Sequence, residues 1–170
     1  MFEVSNDKLR QRIIKEIVDE KKKDPKVVSI LLFGSMARGT HTESSDIDIE
    51  IIYDEGTKRI EVKEKRHGID VDFEIWPKDK FIERIEKYPF LSYPYMEEKI
   101  LFDPTGIVKE FKMKLKKYFE EHEEILKIWE KWKKVYLENK KYGKKQKSVK
   151  EFYDDLEIRF SKDHIVTRNF

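Results

Sequence analysis

Carboxylates alternate with apolar residues in two segments of the chain, in a spacing that suits the binding of divalent cations. In the segment DIDIEIIY, residues 46–53, Asp46 and Asp48 flank a single isoleucine. Neighbouring residues of an extended strand point to opposite faces, so these two carboxylates would share one face. The alternation returns in the segment IDVDFEIW, whose acidic positions are Asp70, Asp72 and Glu74. Magnesium prefers hard oxygen ligands, and the two segments together therefore predict a site for such cations.

A Gly-Ser pair begins twelve residues before the first of these carboxylates and could bind phosphate. Gly34 would let the backbone approach a phosphate closely, and Ser35 would offer a hydroxyl and an N–H at the predicted start of a helix, where anions bind. Two divalent cations can stabilise the charge that develops when a phosphorus-containing group is transferred. Alternating carboxylates alone are more often a solvated strand face, but the preceding Gly-Ser pair favours chemistry of this kind.

The apolar pattern predicts the elements that would hold these side chains. Ser5 or Asn6 could cap a helix that runs to about Lys23. Residues 27–33 form an almost continuously apolar run, typical of a buried central strand. Further strands are predicted at residues 46–53, at 69–76 after a turn at His67-Gly68, and at a sheet edge at 99–102. Pro77 would lie in the first turn of the next helix.

The chain changes character near residue 105. A helical pattern with aromatic and aliphatic residues on one face continues from there to Tyr142-Gly143. Ser148 and Glu151 then form a capping-box pair that would open another helix. We therefore divide the chain into a domain at residues 1–104, which holds the carboxylates, and a helical C-terminal region at residues 105–170.

Composition excludes several classes of protein. Charged residues make up 42% of the chain and its mean hydropathy is −0.78, yet 13% of residues are aromatic and the net charge is only +2. This balance favours a folded protein with an aromatic core over disorder, and such charge-rich compositions are enriched in hyperthermophiles. The chain has no cysteine, which excludes disulfides and cysteine-ligated zinc. It has no signal-peptide pattern and no apolar run long enough to span a membrane, so we expect a cytoplasmic protein.

Lysines are concentrated in the C-terminal region. Residues 109–150 contain 15 lysines and 7 glutamates, with no arginine or aspartate, a net charge of +8. Such a run is most often a solvated helix face, although it could also attract RNA or an acidic partner protein. The lack of arginine weakens the RNA interpretation, because arginine dominates phosphate and base recognition.

The carboxylates and the Gly-Ser pair together carry a family resemblance. The segment GSMARG at residues 34–39, followed by SDIDI at residues 45–49, resembles the G-S-x-A-R-G…S-D-I-D-L signature of DNA polymerase β-like nucleotidyltransferases. The best match is to small prokaryotic members, which include minimal and aminoglycoside nucleotidyltransferases. The likeness covers about residues 27–76. It implies an α+β fold, in which a palm domain of mixed sheet carries helices on one side and is followed here by the C-terminal helical region.

The resemblance also implies roles for individual residues. Gly34 and Ser35 would contact the triphosphate of a nucleotide, and Asp46 and Asp48 would ligate two magnesium ions, with manganese as a possible substitute. Two further residues would support the phosphate loop, namely Arg38 and Ser45. A third metal-binding carboxylate is expected on the later strand, where Asp72 fits the family pattern best and Asp70 is the next candidate.

The implied reaction moves a nucleoside monophosphate, with AMP favoured, from an NTP to an acceptor hydroxyl and releases pyrophosphate. The acceptor stays open among a small molecule, a protein side chain and an RNA 3′ end. A second interpretation is an antitoxin-type minimal nucleotidyltransferase that binds a helical toxin partner and modifies it. A homodimer is also compatible with the C-terminal helices, and a pseudoenzyme that binds nucleotide without turnover is a third, weaker interpretation.

Overall fold

The computed structural model describes residues 2–143, with side chains from residue 6 onward. The predicted Ser148–Glu151 helix start lies outside these residues. The elements follow in the order α1 (Phe2–Lys21), β1 (Val27–Phe33), α2 (Gly34–Arg38), β2 (Ile47–Tyr53), β3 (Ile60–Arg66), β4 (Ile69–Pro77), α3 (Lys78–Lys87), a 3₁₀ turn (Pro89–Leu91), α4 (Pro94–Glu97), β5 (Lys99–Phe102), α5 (Ile107–Glu121) and α6 (Glu123–Lys141).

The five strands form one mixed sheet in the order β3-β4-β2-β1-β5. Strands β2 and β4 are parallel, whereas every other neighbouring pair is antiparallel. The predicted α+β fold class, with a mixed sheet and a helical C-terminal region, is therefore confirmed. The strands predicted at residues 27–33 and 99–102 have the same bounds in the structure.

Helix α1 covers the isoleucine face of the central strands. Ile13 and Ile17 are fully buried and belong to one hydrophobic cluster with the apolar residues of β2 and β4. The members of this cluster on β2 and β4 are Ile47, Ile49, Ile51, Val71 and Phe73. Because side chains alternate along a strand, Asp48 and Asp72 point to the opposite face. The sheet thus has an apolar face under α1 and a carboxylate face.

Two predicted element boundaries are wrong. Helix α1 begins at Phe2 and not after a cap at Ser5 or Asn6. Pro77 ends β4, where it pairs with Tyr53, and does not open the following helix. Proline lacks an N–H, but the last residue of a strand can tolerate that loss.

The predicted helical pattern also does not form one continuous helix. The chain breaks into α5 and α6 at His122. The ring Nδ1 of His122 donates a hydrogen bond of 2.7 Å to the carbonyl of Tyr118. That carbonyl is the one that accepts the backbone N–H of His122 in a continuous helix, so the side chain competes with the main chain for this acceptor.

The described residues divide into two compact units, which comprise residues 2–83 with 97–112, and residues 84–96 with 113–143. In the first unit, Phe81 and Phe111 pack edge to face at 5.7 Å. In the second, Trp129 is fully buried, stacks on Tyr93 and donates a hydrogen bond of 2.7 Å to the carbonyl of Phe90. The domain boundary at residue 104 stays a prediction. None of the helices between residues 2 and 143 is long and apolar enough to cross a membrane.

Candidate active site

The parallel pairing of β2 with β4 brings carboxylates of two strands side by side. In the register of this pair, Asp48 lies opposite Asp72, and Glu50 lies opposite Glu74. Neighbouring strands are about 4.8 Å apart, so the side chains of Asp48 and Asp72 leave the sheet next to each other on the same face. Asp46 is the residue immediately before β2. The structure therefore brings together the two segments that the sequence pattern singled out.

Gly34 touches Asp48 so closely that an added side chain would displace the carboxylate. Its φ is +69°, in the left-handed region that glycine adopts readily. A Cβ added to Gly34 would clash with Oδ2 of Asp48 and lie 3.0 Å from its Cγ. The positive φ and the close contact with Asp48 both favour glycine at this position. From the sequence, glycine was expected here only because its backbone could approach a phosphate.

The carboxylates repel each other in the absence of a cation. Burial raises the pKa of Asp48 to about 6, and the negative charges of Asp72, Asp46 and Glu74 add to this effect, while the charge of Arg38 opposes it. A cation bound to these carboxylates would remove the repulsion, since it favours their ionised form. The set consists of hard oxygen donors of the kind that magnesium prefers. The residues therefore fit a divalent cation.

The two candidates for the third carboxylate lie in different surroundings. The side chain of Asp72 is 26% exposed, and one of its oxygens is 3.7 Å from Nζ of Lys63. The side chain of Asp70 is 56% exposed and forms an ion pair with Lys65 at 3.3 Å. Asp72 also contributes to the raised pKa of Asp48. These differences favour Asp72 as the carboxylate that acts together with Asp48.

The short helix α2 places the other predicted nucleotide-binding residues beside the carboxylates. Ser35 is 7% exposed, and its carbonyl accepts the backbone N–H groups of Gly39 and Thr40, which end the helix. Arg38 is partly buried. Its Nε is buried and has no hydrogen-bond partner within residues 2–143. An anionic group at this position would provide acceptors for that guanidinium.

Ser45 stabilises the loop that leads into β2. Its hydroxyl accepts a hydrogen bond of 2.8 Å from the backbone N–H of Thr42, and its own N–H donates to the carbonyl of Thr42 at 3.1 Å. From α1, Arg10 donates hydrogen bonds to the carbonyls of Glu43 and Ser45. Arg10 was missed in the sequence, although it lies three residues before the buried Ile13 and so interrupts the apolar stripe of an amphipathic helix.

A small cleft of about 110 Å³ opens beside the carboxylate pair. Its lining consists of Phe33, Asp48, Glu61, Val62, Lys63, Asp72, Phe73 and Glu74. In the part of the chain that the structure describes, no three acidic or histidine side chains stand close enough to hold a metal ion as a ready cluster. No histidine of the described residues lines this cleft.

The chain is similar to known proteins. The model of a family described as "Nucleotidyltransferase domain" matches residues 11–164. A candidate protein adenylyltransferase of Methanocaldococcus jannaschii is 46% identical over 71 residues, which are 35% of this chain and 71% of that protein.

A solved nucleotidyltransferase-like protein of Exiguobacterium sibiricum is 14% identical with a TM-score of 0.46, and the match covers 60% of this chain and 37% of the other. The assignment depends on the family model and the archaeal relative and not on this more distant likeness. Because the family model spans most of the chain, the protein belongs to the nucleotidyltransferase domain family of the polymerase β-like superfamily.

Proposed function

We propose that this protein transfers a nucleoside monophosphate from an NTP to an acceptor hydroxyl and releases pyrophosphate, in a reaction that depends on divalent cations. The observation that carries the proposal is the register of the two parallel strands, which sets Asp48 opposite Asp72. Gly34 lies against the same carboxylate. This arrangement joins a phosphate-binding element to paired oxygen donors.

Each residue has a part in this proposal. Asp46, Asp48 and Asp72 hold two magnesium or manganese ions on the carboxylate face. When bound, the ions neutralise the charge that develops on the attacking oxygen, the phosphorus and the leaving group. Gly34 lets the backbone beside Asp48 approach the triphosphate closely, and Arg38 provides a guanidinium for one of the triphosphate oxygens.

Phosphate binding by α2 completes the set of proposed nucleotide contacts. Ser35 lies in the first turn of α2, where we place its contact with the triphosphate, and Ser45 holds the loop that leads to Asp46 through its bonds with Thr42. These two serines act differently in the proposal, because Ser35 contacts the nucleotide whereas Ser45 maintains the shape of the loop.

For the donor and the acceptor we favour ATP and a protein hydroxyl. The archaeal relative is described as a candidate protein adenylyltransferase, and 71% of its length aligns with this chain at 46% identity. An adenylyltransferase of proteins uses ATP and attaches AMP to a side chain. Small-molecule and RNA acceptors are the competing outcomes of the experiment below.

The experiment follows label from the α-phosphate of ATP, UTP, CTP and GTP into three acceptor classes: proteins of a cell extract, oligoribonucleotides and aminoglycosides. We expect cation-dependent labelling of protein from ATP. Asp48→Asn should abolish the transfer, whereas the matched variant Asp19→Asn, on the exposed surface of α1, should retain it. Unchanged transfer in Asp48→Asn would show that the carboxylate pair is not the active site. Labelling of RNA or aminoglycoside alone would overturn the protein acceptor.

A further inference from the structure

Arg10 is a buried cation whose hydrogen bonds within residues 2–143 all go to main-chain oxygens. Its side chain is 1% exposed, one of the most completely buried in the described chain. Its Nη2 donates to the carbonyl of Glu43 at 2.9 Å and to that of Ser45 at 2.7 Å. Its Nε is buried with no hydrogen-bond partner among residues 2–143. The main chain at Glu43 and Ser45 is therefore held by a guanidinium that has no carboxylate partner among the described residues.

Such a group is an unfavourable way to stabilise a fold. A charge removed from water loses several kcal/mol of hydration, and two neutral carbonyls offset this less well than a carboxylate does. An apolar residue would continue the stripe that Ile13 and Ile17 form on α1. The need to position the loop that leads to Asp46 explains a buried arginine at this position better than stability alone does.

The hydrogen bond to the Ser45 carbonyl sets the direction of the peptide bond that precedes Asp46. In a trans peptide the carbonyl and the following N–H point in opposite directions. The Ser45 carbonyl points to Arg10, so the N–H of Asp46 points away from it. Arg10 belongs to α1, which covers the isoleucine face of the sheet. The backbone direction at the start of β2 is therefore fixed by α1, from the isoleucine face of the sheet and not from the carboxylate face.

A second contact from α1 supports this arrangement. Nε2 of His41 is 2.7 Å from Oδ1 of Asp7, so the helix holds the same loop at an earlier point. That pair is exposed, whereas the Arg10 side chain is almost completely buried and its two bonds are partly buried, so solvent competes less with them. The contact nearest to Asp46 is thus the more rigid of the two.

We propose that Arg10 is a positioning residue for the cation site, because its guanidinium fixes the Ser45–Asp46 peptide and with it the geometry of Asp46 and Asp48. The inference rests on the proposed function, in which these carboxylates hold divalent cations. Partners that orient metal ligands typically contribute 10- to 100-fold to metal affinity. Arg10 acts in this way without contact to cation or nucleotide.

The test measures Mn²⁺ affinity by isothermal titration together with the unfolding midpoint in the absence of metal. Arg10→Met keeps most of the aliphatic stem and removes the donors, and we expect it to weaken Mn²⁺ binding about 10- to 100-fold. The matched control is Arg66→Met, which removes a partly buried arginine that joins β3 to Glu20 of α1. It should lower the unfolding midpoint but leave the Mn²⁺ affinity as in the wild type.

Wild-type affinity in Arg10→Met would overturn the inference, and so would an equal loss in Arg66→Met, which would reveal a general effect of stability. If Arg10→Met does not fold, Arg10→Lys takes its place in the Mn²⁺ titration, because an ammonium cannot reproduce the planar fork of a guanidinium. Its Mn²⁺ affinity should then be weaker than that of the wild type, and equal affinity would overturn the inference. Absence of Mn²⁺ binding by the wild type would instead overturn the proposed function.

Discussion

The raised pKa of Asp48 predicts that its carboxylate destabilises the protein when no cation is bound. Burial and three neighbouring carboxylates raise this pKa from 3.8 to about 6. A rise of about 2 units corresponds to about 3 kcal/mol at about 1.4 kcal/mol per unit. Because Asp48 is only partly buried, solvent screening reduces the expected effect to about 1–2 kcal/mol.

The direction in which stability changes with pH follows from proton binding by the Asp48 carboxyl in the folded and unfolded states. Below pH 3.8 the Asp48 carboxyl is protonated in both states and has no effect on stability. Between pH 3.8 and about 6 the folded state retains a proton that the unfolded state has lost, so stability falls as the pH rises. Above about pH 6 both states are ionised and the full penalty is present.

The perturbation is Asp48→Asn, which removes the charge and keeps the size of the side chain. Urea unfolding in a chelating buffer should show the variant to be more stable than the wild type at pH 8 by about 1–2 kcal/mol. The difference should vanish near pH 4. As a control of opposite sign, Asp19→Asn should destabilise the protein at pH 8, because hydrogen bonds from Lys15 and Lys22 lower the pKa of Asp19 to about 2.

Two results would refute this reasoning. One is an Asp48→Asn variant that is no more stable than the wild type at pH 8. The other is a stability difference that is the same at pH 4 and at pH 8, because a packing effect would not depend on the ionisation of the carboxyl.

Three further substitutions have defined outcomes. Gly34→Ala should cost about 1–3 kcal/mol of unfolding free energy from its positive φ and should also abolish nucleotidyl transfer, because the new methyl group displaces Asp48. Asp103→Ala should lower the free energy of unfolding by about 1–2 kcal/mol, since this carboxylate accepts backbone N–H groups at the start of α5. Trp129→Phe should cost about 1–3 kcal/mol in the same denaturation assay, because it leaves the buried carbonyl of Phe90 without its donor.

Gly39 provides the matched control for Gly34. Its φ is +70°, but no atom lies within 4 Å of the position of an added Cβ. Gly39→Ala should therefore show a similar loss of stability and retain transfer activity. Equal activity of the two alanine variants would contradict the role of the contact with Asp48. For Asp103→Ala and Trp129→Phe, an unchanged unfolding midpoint would contradict the stated contributions.

The strands could be predicted from the sequence because each has a strong local pattern. The run at residues 27–33 is apolar on both faces, and the segments at 46–53 and 69–76 alternate acidic with apolar residues. Because side chains alternate along a strand, Asp46 and Asp48 share one face, and Asp70 and Asp72 share one face, whichever strands lie beside them. Local pattern thus identified the candidate site without any knowledge of how the strands pair.

The relation between the two strands could not be predicted in this way. Whether Asp70 or Asp72 faces Asp48 depends on the register of β2 with β4, which long-range packing sets. The role of Arg10 has the same origin, because its two acceptors lie 33 and 35 residues further along the chain. The break at His122 is local, yet it depends on a ring that bonds the carbonyl of Tyr118, and a helical pattern of apolar residues does not reveal that bond.

The most direct test of the proposed cation site compares Mn²⁺ binding by Asp72→Asn and Asp70→Asn. These residues share one face of β4, but Asp72 lies opposite Asp48 whereas Asp70 is paired with Lys65. We predict that Asp72→Asn weakens Mn²⁺ binding at least about tenfold and that Asp70→Asn binds Mn²⁺ like the wild type. Wild-type affinity in Asp72→Asn, or a greater loss in Asp70→Asn, would contradict the account.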